Sequence, residues 1–143
     1  MLKRKIEEQL KVWKQTTDKK PLVIKGCRQC GKTFSVLAFA QKNYSHVVYL
    51  NFVQNPDYSL AFQGSKNIDD VIMNISAMVS GAIFEPGNTC LILDEIQDCP
   101  EARTSLKFFK MDGRFDVIAT GSLLGVKGYG GKQSARASVP VGY

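Results

Sequence analysis

Residues 26–33, Gly-Cys-Arg-Gln-Cys-Gly-Lys-Thr, place two glycines, a lysine and a hydroxyl residue at fixed spacing. They follow the apolar run 22–24 and precede the helix-like stretch 34–40. This order predicts a phosphate-binding loop, because the N–H groups of a glycine-rich turn can surround phosphate oxygens and the next helix directs its positive end at them. In this interpretation Lys32 reaches the β- and γ-phosphates and the Thr33 hydroxyl ligates Mg²⁺.

The predicted loop also defines the residues that would line the nucleotide phosphates. They are Gly26, Cys27, Arg28, Gln29, Cys30, Gly31, Lys32, Thr33 and Phe34. The alternative is an ordinary glycine turn between a strand and a helix, with a lysine at the surface.

A second segment, residues 89–95, is almost wholly apolar and ends in two carboxylates. Such a run is typical of a strand buried on both faces of a parallel sheet, and ligands bind at the carboxyl ends of those strands. Asp94 suits Mg²⁺, directly or through a water, and Glu95 suits a base that orients an attacking water. The alternative is that both residues only begin a polar loop before the helix that starts at Pro100.

A third segment, Thr120-Gly121-Ser122, ends a predicted strand over 114–120. Its small hydroxyl side chains could contact a γ-phosphate or the attacking water. The alternative is a hydroxyl-lined turn without such a role.

Hydrophobic spacing predicts the elements that position these residues. An amphipathic helix is expected from Leu2, Ile6, Leu10 and Trp13, which recur at helical spacing. Further helices are expected over 32–41, 68–79 and 100–110, and strands over 22–25, 46–52, 89–95 and 114–120. This alternation predicts an α/β fold with a mainly parallel sheet. Residues 123–143 are predicted to be a glycine- and lysine-rich tail that ends where a strand begins.

Composition narrows the classes of function. The chain has 143 residues, enough for one domain with a core. It shows no apolar run near the ~20 residues of a membrane span and no apolar segment after its basic N-terminus, so we predict a cytoplasmic protein without membrane contact. The net charge of +6 is spread along the chain. A solvated helix face and a phosphate site explain most of it, and a nucleic-acid surface is the alternative.

The cysteines allow three interpretations. Cys27 and Cys30 form a C-x-x-C pair inside the predicted loop, where redox sensitivity is one interpretation and apolar packing is the other. A zinc site would also need Cys90 and Cys99, which are expected at opposite ends of a buried strand and therefore too far apart.

With these motifs in hand, the sequence resembles the AAA-type ATPase domain of a widespread, poorly characterised group of bacterial and archaeal ATPases. The resemblance rests on segments 25–33, 93–100, 105–109 and 119–125, which read K-G-C-R-Q-C-G-K-T, L-D-E-I-Q-D-C-P, S-L-K-F-F and A-T-G-S-L-L-G. Nearly the whole chain is covered.

The resemblance implies a three-layer α-β-α P-loop NTPase fold of the additional-strand type. The phosphate-loop strand would be central, and the strand carrying Thr120 would separate it from the Asp94 strand. Asp94 would be the Walker B magnesium residue, Glu95 the catalytic base, and Thr120 or Ser122 the sensor of the γ-phosphate.

The same resemblance implies a domain organisation. Residues 1–143 would form the ATPase domain, with 1–18 as an N-terminal helix and 123–143 as the tail. The fold is expected to stop at its fifth strand, and the C-terminal domain of unknown function that such ATPases carry is expected to be absent.

The leading functional hypothesis is an ATP-binding domain that hydrolyses ATP to ADP and phosphate with Mg²⁺. The chain contains no Asn-Lys-x-Asp signature for guanine. Alternatives are a nucleotide-binding module with little turnover, an ATP-regulated nucleic-acid binder and, less favoured by the adjacent Glu95, a kinase. Since hydrolysis in such sites commonly uses an arginine from a neighbouring subunit, a homo-oligomer or a partner protein is expected.

Overall fold

The fold is built on a parallel sheet of four strands. The computed structural model describes residues 2–16, 20–26, 32–64 and 67–122. The strands are β1 (Leu22–Gly26), β2 (His46–Asn51), β3 (Thr89–Asp94) and β4 (Asp116–Ser122), in the order β1-β4-β3-β2. The predicted placement of the Thr120 strand between the other two motif strands is therefore confirmed.

One expectation about the sheet stays a prediction, because it depends on residues outside the described part of the chain. The resemblance implies a central β1, whereas among the described strands β1 lies at an edge with β4 as its neighbour. The strand start predicted at residues 139–143, the candidate for its other side, lies outside the described residues.

Helices cover the sheet on both sides. They are α1 (Leu2–Gln15), α2 (Lys32–Asn43), α3 (Ile68–Met78) and α4 (Pro100–Asp112), and all four were predicted. Two 3₁₀ segments, Pro56–Phe62 and Ile96–Asp98, were not predicted. In the part of the chain that the structure describes, no helix has the length and apolarity needed to cross a membrane.

Alternation along the strands divides the hydrophobic side chains into two cores. On one face, Leu91 and Leu93 of β3 pack with residues of α3 and α4. On the other face, Cys90 and Ile92 pack with residues of α1 and α2, including Ile6, Leu10 and Trp13 as predicted. All of β3 is buried, as expected for a strand between two helical layers.

Polar side chains at or near the amino ends of the strands contact polar side chains from other parts of the chain. The Tyr44 hydroxyl donates to Asp116, the first residue of β4. At the start of β2, the His46 Nε2 atom lies 3.1 Å from Glu85 Oε1. Arg114, just before β4, forms ion pairs with Asp112 and Asp69. These contacts hold the chain where it enters the sheet. We refer to this end of the sheet, at which the strands begin, as the amino edge.

Candidate nucleotide and magnesium site

The Asp94 carboxylate is the centre of the candidate site. Asp94 ends β3 at the opposite side of the sheet, the carboxyl edge, and is 1% exposed. Its Oδ2 atom accepts a hydrogen bond of 3.0 Å from the Thr33 hydroxyl, 61 positions away in the chain. Its Oδ1 atom accepts one from the Thr120 hydroxyl. The structure therefore brings together the residues that three separate motifs contributed.

The start of α2 carries two residues of the predicted phosphate loop. Lys32 and Thr33 open the helix, and Lys32 is 3% exposed. Phe34 follows them and is largely exposed. Gly26 ends β1 and pairs in register with Ser122 of β4, so the loop leaves the sheet at the carboxyl edge. Cys27, Arg28, Gln29, Cys30 and Gly31 lie outside the described residues.

Thr120 links Asp94, the last residue of β3, to Glu95, which follows it. Its hydroxyl, fully buried, donates to Asp94 and accepts a hydrogen bond of 3.3 Å from the Glu95 backbone N–H. In this arrangement the hydroxyl orients the Asp94 carboxylate and the chain that follows it. The contact with a γ-phosphate expected of Thr120 stays a prediction, and the side chain of Ser122, the alternative, lies outside the description.

Glu95 has an unusual backbone conformation. Its φ of 60° and ψ of 48° lie in the left-handed region, which a residue with a side chain adopts at a cost. This conformation ends β3 and begins the 3₁₀ segment Ile96–Asp98. The Glu95 Oε1 atom accepts a hydrogen bond of 2.8 Å from Gln97 Nε2. The carboxylate is thus held by a side chain only two positions further on.

Gly121 makes room for the side chain that holds Glu95. A Cβ atom at Gly121 would lie 3.2 Å from Gln97 Oε1, closer than most contacts of a real Cβ atom. Glycine at this position of β4 therefore lets Gln97, which is nearly buried, pack beside the strand. The glycine of the Thr120-Gly121-Ser122 segment has a steric role here.

Two residues of β2 also belong to the site, although no motif pointed to them. The Tyr49 hydroxyl donates to Asp94 Oδ2, and the Asn51 amide lies 3.1 Å from the Tyr49 hydroxyl and 3.4 Å from Asp94 Oδ2. Asn51 pairs in register with Asp94. The available signal was the order of the strands: once β2 is placed beside β3, alternate residues at its carboxyl end must face the same side as Asp94.

The Tyr49 hydroxyl is a weaker acid in this environment than in a free tyrosine side chain. The pKa of Tyr49 is raised from 10.0 to about 12, first by burial and second by the hydrogen bond to Asp94, which outweighs the lowering by the Asn51 amide. The phenol therefore stays protonated and able to donate at neutral pH.

The oxygen atoms at this site suit a magnesium ion. Mg²⁺ is commonly bound through one or two protein oxygens, with waters and substrate phosphates completing its coordination. Thr33 and Asp94 supply such a pair at 3.0 Å. Among the described residues no group of three or more His, Cys, Asp or Glu side chains could hold a metal ion by itself. Cys90 and Cys99 belong to opposite cores and so cannot share a zinc ion.

Basic side chains gather in a separate place. A groove of about 500 Å³ between α1 and α2 is lined by Lys11, Lys14 and Lys42, with Glu7 among them. One of these amines, Lys14 Nζ, lies 4.4 Å from the centre of the Tyr44 ring. The nucleic-acid alternative stays a prediction.

Sequence comparison identifies the family. The profile of the AAA domain family matches residues 18–136, and the chain belongs to that family. It is an AAA-type ATPase domain, the class of nucleotide-binding domain that the three motifs predicted.

Comparison with individual proteins adds little. No curated protein sequence matches the chain. Among solved structures, the chain is similar to that of C. elegans PCH-2, with 16% identity and a TM-score of 0.44. The alignment covers 84% of this chain and 34% of PCH-2, so the chain spans about a third of that structure's length.

Proposed function

We propose that this domain binds ATP together with Mg²⁺ and hydrolyses it to ADP and phosphate. The observation that carries the proposal is the hydrogen bond of 3.0 Å between the Thr33 hydroxyl and the Asp94 carboxylate. It joins the end of the phosphate-loop motif to the end of the apolar β3 strand. A hydroxyl and a carboxylate at this distance can both turn an oxygen toward one small cation.

Phosphate binding is assigned to the start of α2 and the loop before it. Lys32 brings a positive charge to the helix N-terminus, where the helix dipole already favours anions. When bound, Mg²⁺ would neutralise charge on the β- and γ-phosphates. The chain's own contribution is to hold Thr33 and Asp94 in place, and for Asp94 the Thr120 hydroxyl does so from the other side.

Water activation is assigned to Glu95. Its carboxylate follows Asp94 directly and, in the left-handed backbone conformation, lies where Gln97 can donate to Oε1. The other carboxylate oxygen can accept a proton from an attacking water. This partly buried hydrogen bond to the base fixes its direction, which favours in-line attack on the γ-phosphate.

The contact between Gln97 and Glu95 also favours a second candidate function. If the amide holds the carboxylate away from the water, the domain would bind ATP and turn it over slowly, acting as a nucleotide-dependent binding module. An arginine from a second copy or a partner could then accelerate the reaction by about 10³-fold or more. Arg114 is not a candidate for an arginine supplied within one copy, because it is engaged with Asp69 and Asp112 at the amino edge.

Phosphate release measured with Mg²⁺ and with a chelator tests the proposal. Glu95→Gln should keep ATP binding and lower turnover by about 10²–10⁴-fold, because the amide keeps the shape and loses the basicity. Glu85→Gln is the matched control, since that carboxylate pairs with His46 at the amino edge. Turnover in Glu95→Gln equal to that of the parent would contradict the assignment.

Phosphate release by the parent protein, measured at several protein concentrations, distinguishes the two candidate functions. Turnover that rises steeply with protein concentration, or on mixing with a Glu95→Gln chain, indicates an arginine supplied between copies. Tight ATP binding with no detectable phosphate release at any concentration supports the binding module.

A further inference from the structure

We propose that Tyr49 is a positioning residue that holds the Asp94 carboxylate for Mg²⁺ and so sets the magnesium affinity of the nucleotide complex. The inference rests on the proposed function, because it assumes that Asp94 and Thr33 serve the metal. It assigns a role to a strand, β2, that carries none of the motif residues.

Tyr49 contacts the Asp94 oxygen that also faces Thr33. Its hydroxyl donates to Asp94 Oδ2, the same atom that accepts the hydrogen bond from Thr33. The Thr33 hydroxyl can turn an oxygen lone pair toward a cation and still donate its proton to Asp94 Oδ2. Tyr49 then holds Oδ2 from the side of β2, while Thr120 holds Oδ1.

Tyr49 is itself fixed by a chain of hydrogen bonds. Asn51 Nδ2 lies 3.1 Å from the Tyr49 hydroxyl oxygen, to which it donates. Asn51 Oδ1 accepts from the backbone N–H groups of Val53 and Gln54, each at 2.9 Å. The turn after β2 therefore anchors Asn51, Asn51 orients Tyr49, and Tyr49 orients the carboxylate. Partners of this kind behind a metal ligand typically change metal affinity by about 10–100-fold when they are removed.

A second tyrosine, two residues before β2, provides the comparison that separates positioning from packing. Tyr44 donates to Asp116 in the same way that Tyr49 donates to Asp94. Both phenols have a raised pKa, with burial as the first cause. The Tyr44 pair lies at the amino edge, across the sheet from Thr33. Removing either hydroxyl costs a similar hydrogen bond, whereas only Tyr49 touches a proposed metal ligand.

The test is a magnesium titration of ATP binding by calorimetry in the parent, Tyr49→Phe and Tyr44→Phe. For Tyr49→Phe we expect the Mg²⁺ concentration that gives half of the effect to rise about tenfold. Affinity for ATP in the presence of a chelator should stay at the parent value, because the phosphates are held by other groups. Tyr44→Phe should match the parent in both measurements, while thermal unfolding reports the lost hydrogen bond in each variant.

Asn51→Ser gives an independent measurement that leaves the phenol in place. It removes the amide that donates to the Tyr49 hydroxyl and that also lies 3.4 Å from Asp94 Oδ2, and we expect a smaller rise in the Mg²⁺ requirement in the same direction. If Tyr49→Phe does not fold, this variant tests whether the donors from β2 set the Mg²⁺ requirement.

The outcomes separate the inference from the proposed function. A parent protein whose ATP affinity does not respond to Mg²⁺ overturns both. A parent that responds, with Tyr49→Phe or Asn51→Ser indistinguishable from Tyr44→Phe, overturns the role of Tyr49 alone and leaves the magnesium site standing.

Discussion

The two edges of the sheet use the same kinds of side chain in different ways. At the amino edge the described contacts are spread over separate acidic groups: Tyr44 contacts Asp116, His46 contacts Glu85, and Arg114 contacts Asp69 and Asp112. At the carboxyl edge several neutral donors converge on one buried carboxylate, that of Asp94. The same tyrosine-to-aspartate hydrogen bond thus occurs at both edges, and at the carboxyl edge it is one of several that meet on the same carboxylate.

The difference shows how a site can be distinguished from structural polar contacts. A pair satisfies its own members, so its effect is on the stability of the fold. Donors gathered on one carboxylate, drawn from α2, β2 and β4, fix the direction of its oxygens in a buried place. Such an arrangement is suited to a cation, and the left-handed Glu95 beside it adds strain of the kind found at functional sites.

Among single substitutions, we expect Lys32→Ala to have the largest effect on the difference between the two edges. Lys32→Ala should weaken ATP binding by about 100-fold, because it removes a charge-assisted contact to the phosphates. Lys42→Ala, in the last turn of the same helix, is the matched control and should bind ATP like the parent. Equal affinity of a folded Lys32→Ala protein and the parent in calorimetry would remove the basis for a nucleotide site at this edge.

Alkaline pH should have a smaller effect, which is on the stability of the fold. It acts on a tyrosine at each edge. The pKa of Tyr49 is about 12 in the folded protein against 10.0 for the free group, so the folded state keeps a proton that the unfolded state loses. The stability contributed by this phenol is complete below pH 10 and is lost as the pH rises toward 12. The pKa of Tyr44 is raised as well, and the sign is the same.

Denaturant unfolding between pH 9 and pH 12 measures this effect. The parent should lose stability with pH more steeply than Tyr49→Phe or Tyr44→Phe, and the two variants should resemble each other. Identical slopes in the parent and both variants would show that neither hydrogen bond survives as described.

Much of the fold was predictable because its signals are local. The apolar run of β3 predicted a strand buried on both faces, and the hydrophobic spacing over 68–79 correctly predicted α3. The start of β4 was predicted two residues too early, at Arg114. Gly113 ends α4 in the left-handed conformation, and Arg114 is drawn into ion pairs with Asp112 and Asp69 before the strand begins.

The site was predictable only where residue types follow a motif. Lys32, Thr33, Asp94 and Glu95 were found from spacing, since phosphate and magnesium chemistry restricts what can stand there. Tyr49 was not, because its role depends on which strand lies beside β3, a long-range property that β2 does not encode locally. The backbone of Glu95 was equally hidden, since a left-handed conformation is normally signalled by glycine.

The most direct test of the account is the effect of Mg²⁺ on ATP affinity in the parent, Asp94→Asn and Asp116→Asn. We expect Mg²⁺ to tighten ATP binding in the parent and in Asp116→Asn, whose carboxylate pairs with Tyr44 at the amino edge. In Asp94→Asn the tightening should be largely lost, because an amide cannot supply the negative charge that the cation needs. Parent binding that a chelator leaves unchanged, or an Asp94→Asn protein that responds to Mg²⁺ like the parent, would contradict the central claim that the carboxyl edge holds a magnesium–nucleotide site.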